Sequence, residues 1–141
     1  MASLGATEAL ALLLRHGSRD VVFAAAGALV NVAADAGGRD SLRRADVAAH
    51  AELARVVRAA SLRDLGLAAV ACKALHNLLL DAPTGGAATV LGETHERLRD
   101  TLVELLDCAE DASTLDAGAG PDPANADFLR AGRAVLGILE E

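Results

Sequence analysis

Apolar residues recur along this chain at helical spacing, in stretches separated by short runs of Gly, Asp, Pro and Ser. Leu10, Leu13 and Leu14 mark a first helix from Leu4 to His16, which Gly17-Ser18 ends. A second helix from Arg19 to Ala34 presents Val22, Ala25, Ala26, Leu29, Val32 and Ala33 on one face, and the run at 35–38 (Asp-Ala-Gly-Gly) reads as its stop. Arg39 to Arg44 is then one short helical turn. Asp46 is placed to cap a helix through Ala60 with Leu53, Val56 and Val57 inward. Asp64 caps the next, whose stripe Leu65, Ala68, Cys72, Leu75 and Leu79 is one-sided, before the break at 82–86 (Ala-Pro-Thr-Gly-Gly). A helix from Gly92 to Ala109 turns Leu98, Leu102, Leu105 and Leu106 inward, and a last one carries Phe128, Leu129, Val135, Leu136 and Ile138.

Two of these helices end alike. Residues 28–35 (Ala-Leu-Val-Asn-Val-Ala-Ala-Asp) and 74–81 (Ala-Leu-His-Asn-Leu-Leu-Leu-Asp) centre on Asn31 and Asn77, 46 residues apart. A shift of 44 residues lays 8–15 over 52–59 and Arg19-Asp20 over Arg63-Asp64, so the repeat also keeps its helix order. A repeat of this length in an Ala/Leu-rich chain predicts an all-α stack of helices, since one unit has too little apolar surface to fold alone. Residues 1–110 are assigned to the repeats, 111–125 to an acidic Gly/Ala/Pro flexible loop, and 126–141 to a helix capping the stack.

Composition narrows the packing. The chain has 141 residues, 52% of them hydrophobic, with two Phe and neither Tyr nor Trp, so the core must be built from Ala, Leu and Val. Of 13 basic residues only Lys73 is lysine, which reads as coding bias. Net charge is −7, yet the stretch from Asp100 to Leu129 holds eight acidic residues and no basic one. That stretch is a solvating surface or a dock for a basic partner, and no basic stripe suited to nucleic acid exists. No apolar run reaches a membrane span and no leader precedes the first helix, so a cytoplasmic protein is expected.

A helix ending in Leu-Leu, a Gly, then a long Ala-rich helix ending in Leu-x-Asn-x-x-x-Asp resembles armadillo repeats across residues 4–108. The segments at 21–31 and 71–77 are, more narrowly, similar to the C-terminal repeats of ciliary armadillo-repeat proteins. The resemblance implies an armadillo-type right-handed α-solenoid of partial repeats, opening at the second helix of a repeat, so that the chain is part of a longer protein or a shortened gene. It further implies a non-catalytic scaffold for protein partners, among them radial-spoke or intraflagellar transport components, in the cytoplasm and the cilium or flagellum. Armadillo proteins line a concave groove with the third helix of each repeat, where the matching Asn bonds the backbone of an extended peptide. Asn31, Asn77 and Lys73 are accordingly the groove candidates; the alternative is that both amides only cap inter-helix turns. Nuclear-import receptors of this fold place Trp four residues before the Asn. Gly27 and Lys73 stand there, so the slots for lysine stems are absent.

Catalytic and cofactor signatures are missing. His16, His50, His76 and His95 form no HxxxH or HExxH, and His76 beside the apolar stripe reads as a packing residue. Cys72 and Cys108 read as small buried hydrophobes of a reducing compartment. Gly37-Gly38 and Gly85-Gly86 precede no Lys-Ser/Thr, and no Ser sits in GxSxG. Neither an enzyme nor a cofactor is expected.

Overall fold

The helix Leu65–Leu78 organises the molecule. Its first turn is closed by Asp64, whose carboxylate accepts the Leu67 N–H at 3.1 Å. Eight of its 14 residues are alanine or leucine and Val70 is the one β-branched residue, a composition that favours a helix despite Gly66. In the computed structural model, which describes residues 6–44, 48–80, 86–115 and 123–141, this is the fifth of eight α-helices. They are α1 (Ala6–Leu13), α2 (Arg19–Ala34), α3 (Ala36–Arg44), α4 (Ala49–Ala60), α5 (Leu65–Leu78), α6 (Gly86–Leu91), α7 (Thr94–Leu115) and α8 (Pro123–Leu139), with a 3₁₀ turn at Ser61–Arg63. The described residues are all-α, without a strand. No single helix among them is long and apolar enough to cross a membrane.

Packing follows from the size of the side chains on α5. Ala68, Ala69, Ala71, Cys72, Ala74, Leu75 and Leu78 are all buried, so α5 is enclosed on most of its circumference rather than along one stripe. Helix α2 lies against one flank, α8 against the other, and α4 behind. Alanine at these contacts lets the axes approach, as the composition requires. Helices α2, α5 and α8 each have a backing helix: α1 packs on α2, α4 on α5 and α7 on α8. Leu29, Leu53, Val57, Leu98, Leu102, Phe128 and Val135 fill the space between the two rows. Helix α8 packs on both α5 and α7, and Phe128 is fully buried.

Several boundaries depart from the sequence reading. The run at 35–38 does not stop the chain: only Asp35 leaves the helical region, and α3 starts at Ala36, turned by 116° from α2. The Asp35 carboxylate accepts the Gly38 N–H at 3.1 Å, and the Arg39 guanidinium donates to the carbonyls of Ala33 and Ala34 at 2.9 and 3.1 Å. Gly38 is there for space, since a Cβ would stand 2.0 Å from the Val32 carbonyl oxygen. Of the segment 111–125, Asp111–Leu115 continues α7 and Pro123–Asn125 opens α8; the remaining residues lie outside the described ones, as does Asp46. Pro123 takes the first helical position, where its missing N–H costs nothing, so α8 begins three residues earlier than expected. Leu13 is 40% exposed, its place in the core taken by Ala11 and Leu14. Cys108 is exposed on the outward side of α7 beside Glu104 and Asp107, whereas Cys72 is buried and its thiol is pushed up to about 12 by desolvation.

Arginines tie the pairs together. Arg43 of α3 donates to the carbonyls of Leu78 and Leu80 at 2.6 and 2.7 Å, satisfying the C-terminal end of α5 where a cation also suits the helix dipole. Arg19 forks onto Asp64 at 2.8 and 3.0 Å, linking the start of α2 to the cap of α5. Glu52 sits between Arg15 at 3.0 Å and Arg55 at 3.1 Å, while Arg55 also donates to the Leu14 carbonyl. Across α7 and α8, Glu110 pairs with Arg133, and the buried Asn125 donates to the Ala109 carbonyl at 3.2 Å.

Two outcomes test this account. Gly38→Ala should lower the unfolding free energy by about 1–3 kcal/mol, because the atoms it meets are backbone and cannot step aside. Gly27→Ala, whose Cβ meets nothing within 4 Å, should raise it by roughly 0.5–1 kcal/mol through helix propensity. Urea denaturation of both variants decides; an equally stable Gly38→Ala protein would remove the steric argument. The second outcome concerns acid. Desolvation pushes the Glu52 carboxyl up, but the hydrogen bonds and charges of Arg15 and Arg55 outweigh it and leave the group below its ordinary value; Arg19 does the same for Asp64. Both groups therefore bind protons more readily in the unfolded chain. Their stabilisation is present at neutral pH and is lost as pH falls below the ordinary values of 4.5 for Glu52 and 3.8 for Asp64 and on through the lower folded-state values. Urea midpoints followed downward from about pH 6 should drop, and Glu52→Gln should flatten the slope. A slope unchanged by that substitution would show Glu52 to be uncoupled.

Candidate interaction surface on α2, α5 and α8

The side chains that α5 does not bury line up on one side of it. Gly66, Val70, Lys73, His76 and Asn77 are partly or fully exposed between α2 and α8. Toward the C-terminal half, a cavity of about 340 Å³ opens, bounded by Val30 of α2, by Lys73, His76 and Asn77 of α5, and by Asp127, Arg130 and Ala134 of α8. Helical spacing produces it. Lys73 and Asn77 are one turn apart on α5, and Asp127, Arg130 and Ala134 form an i, i+3, i+7 row on α8.

The three sequence candidates have different fates. Lys73 and Asn77 are brought together; Asn31 is exposed on α2 and does not line the cavity. The Asn77 Nδ2 donates to the Val30 carbonyl at 2.9 Å, so this amide spans from α5 to the backbone residue that precedes Asn31. Its Oδ1 accepts no hydrogen bond from the described residues. One half of the amide is thus committed to the fold, and the other is available. Lys73 Nζ lies 2.8 Å from Asp127, which also faces Arg130 at 3.6 Å. Both pairs are substantially exposed, so their contribution to stability is small; they fix position more than they add energy.

Sequence reasoning missed Val30, Asp127 and Arg130. In the sequence Asp127 belongs to the acidic stretch, although its i, i+3 spacing to Arg130 marks a paired helix face. His76, read as a packing residue, lines the cavity as well. At the far end of α2, the Arg19 guanidinium lies 4.6 Å from the ring centre of Phe23, itself 38% exposed, giving a flat cationic and aromatic edge. The surface therefore offers an amide acceptor, two cations around one carboxylate, and small apolar walls. Groups of this kind can pair with polar backbone and with charged side chains. Among the described residues no three His, Cys, Asp or Glu side chains gather as a metal ion would need.

The Asn environments predict unequal substitutions. Asn77→Ala removes a part-buried inter-helix hydrogen bond and should cost on the order of 1 kcal/mol. Asn31→Ala should stay within about 0.5 kcal/mol of the parent. Chemical denaturation of the two single variants separates them; equal losses would show that the Asn77–Val30 bond carries no weight.

Compared with known protein families, curated proteins and solved structures, the chain matches none.

Proposed function

We propose that this chain is a non-catalytic protein-interaction scaffold whose helix pairs stack as an armadillo-type right-handed α-solenoid, and that α2, α5 and α8 supply its peptide-facing side. The observation that carries the reading is the ordered row α2–α5–α8 with a cavity where Lys73, Asn77, Asp127 and Arg130 meet. In armadillo terms, α3–α4–α5 and α6–α7–α8 each read as a three-helix repeat and α1–α2 as the last two helices of another. Asn77 then reads partner backbone with its Oδ1 while its Nδ2 holds the repeat interface. The missing Trp at Gly27 and Lys73 argues against nuclear-import signals as cargo, and an acidic net charge argues against nucleic acid.

The narrower similarity of 21–31 and 71–77 to the ciliary armadillo repeat-containing protein 2 supports a role in building the axoneme. Its partners are then radial-spoke or intraflagellar transport proteins, and its place is the cytoplasm and the cilium or flagellum. The cavity alone, without that similarity, supports the second reading: a general peptide-binding armadillo module of cytoplasmic signalling or protein turnover. Loss of the gene in cells that build motile cilia should give short or paralysed flagella lacking a subset of spoke proteins. The defect should be restored by the parent sequence and only weakly by a Lys73→Glu, Arg130→Glu double variant. Normal motility with a full axonemal protein complement would overturn the ciliary reading and leave the general one.

A further inference from the structure

A second cavity, of about 290 Å³, opens between α4 and α7 and shares no residue with the first. We propose that it binds a phosphate monoester group, held by Arg58 of α4 and Arg97 of α7 with the hydroxyls of Thr94 and Thr101. The inference does not rest on the groove reading.

Helical spacing converges these groups. Arg55 and Arg58 are three residues apart on α4, and Thr94, Arg97 and Thr101 follow i, i+3, i+7 on α7, so each set lies on one face of its helix. Ala51 and Ala54 keep the wall of α4 low and leave the space unfilled. In a chain of net charge −7, this cavity has three guanidiniums against two carboxylates, Glu52 and Glu93. Glu52 is already held by Arg15 and Arg55, and Arg55 is anchored further on the Leu14 carbonyl. Arg58 and Arg97 are not ion-paired with any described residue, Glu93 included. Two free guanidiniums and two hydroxyls match a group with three acceptor oxygens and nearly two negative charges better than a carboxylate with two oxygens and one charge. The lining has no aromatic side chain for a base, and the volume sits at the lower edge of small-molecule pockets, which favours a lone phosphate group over a nucleotide.

Two sources carry such a group: a free small phosphate and a phosphorylated side chain. Titrating the full chain with inorganic phosphate and with O-phosphoserine at constant ionic strength, read by amide chemical shifts, should give saturable shifts around Arg58, Thr94 and Arg97, and serine should give none. Tighter binding of O-phosphoserine identifies a protein-borne phosphate, and equal or tighter binding of inorganic phosphate a free one; each supports the site. Arg58→Gln with Arg97→Gln should weaken binding at least about tenfold, while the charge-matched control Arg63→Gln with Arg99→Gln, outside the cavity, should not. Glu93→Gln should tighten binding and keeps the test open should the double variant misfold. Absence of a saturable response to either probe, or equal losses in the double variant and its control, would overturn the proposal.

Discussion

Close approach to α5 is the constraint on which the rest of the structure depends. With no Tyr or Trp to bury, the chain cannot stabilise itself through a few large contacts, so it must gain area by bringing helices near one another. Ala68, Ala69, Ala71 and Ala74 do this on α5, where a larger side chain at any of these positions would push α2, α4 or α8 outward. The same choice makes the molecule sensitive to backbone fit. Gly38 shows the effect at a crossing of two helices, where not even a methyl group is accommodated.

Apolar packing of this kind has little direction, since alanine faces slide over one another at small cost. Directional bonds fix the register instead. Arg39 and Arg43 of α3 reach the carbonyl ends of α2 and α5, Arg19 reaches the cap of α5, and Asn77 reaches the backbone of α2. A planar guanidinium can satisfy several carbonyls at once, which lysine cannot do with equal geometry. The arginine excess that reads as coding bias in composition is therefore employed structurally, whatever its origin.

The legible part of the fold is the part set by local pattern. Helix α2 has the bounds and the inward face that its apolar spacing gives, apart from a half-buried Val32, and Leu98, Leu102, Leu105 and Leu106 are buried on α7 as expected. What pattern misreads is what a partner decides. Gly37-Gly38 looks like a breaker because sequence shows a missing side chain and not the Val32 carbonyl that excludes one. Leu13 looks inward, yet the helix ends there and Leu14 takes the buried place. Cys108 follows an apolar pattern but falls on the outward side of α7. At the site, the repeat marks Asn77 and helical spacing puts Lys73 one turn before it, whereas Asp127 and Arg130 come from a helix with no matching Asn segment.

That difference between repeated sequence and unrepeated chemistry bears on recognition. A ladder of equivalent amides would read an extended partner at regular intervals, as the repeat spacing suggests. Here Asn31 stands exposed without a cavity, while Asn77 spends one of its two functional ends on Val30. Ala131 and Ala134 on α8 offer no amide. On the proposed reading, direction would come from one place, where Lys73, Asp127 and Arg130 hold charge of both signs beside the Asn77 Oδ1 acceptor. A partner engaging it would be fixed by that one polar contact set, with the flanking Gly66, Val70 and Val30 supplying shape rather than direction.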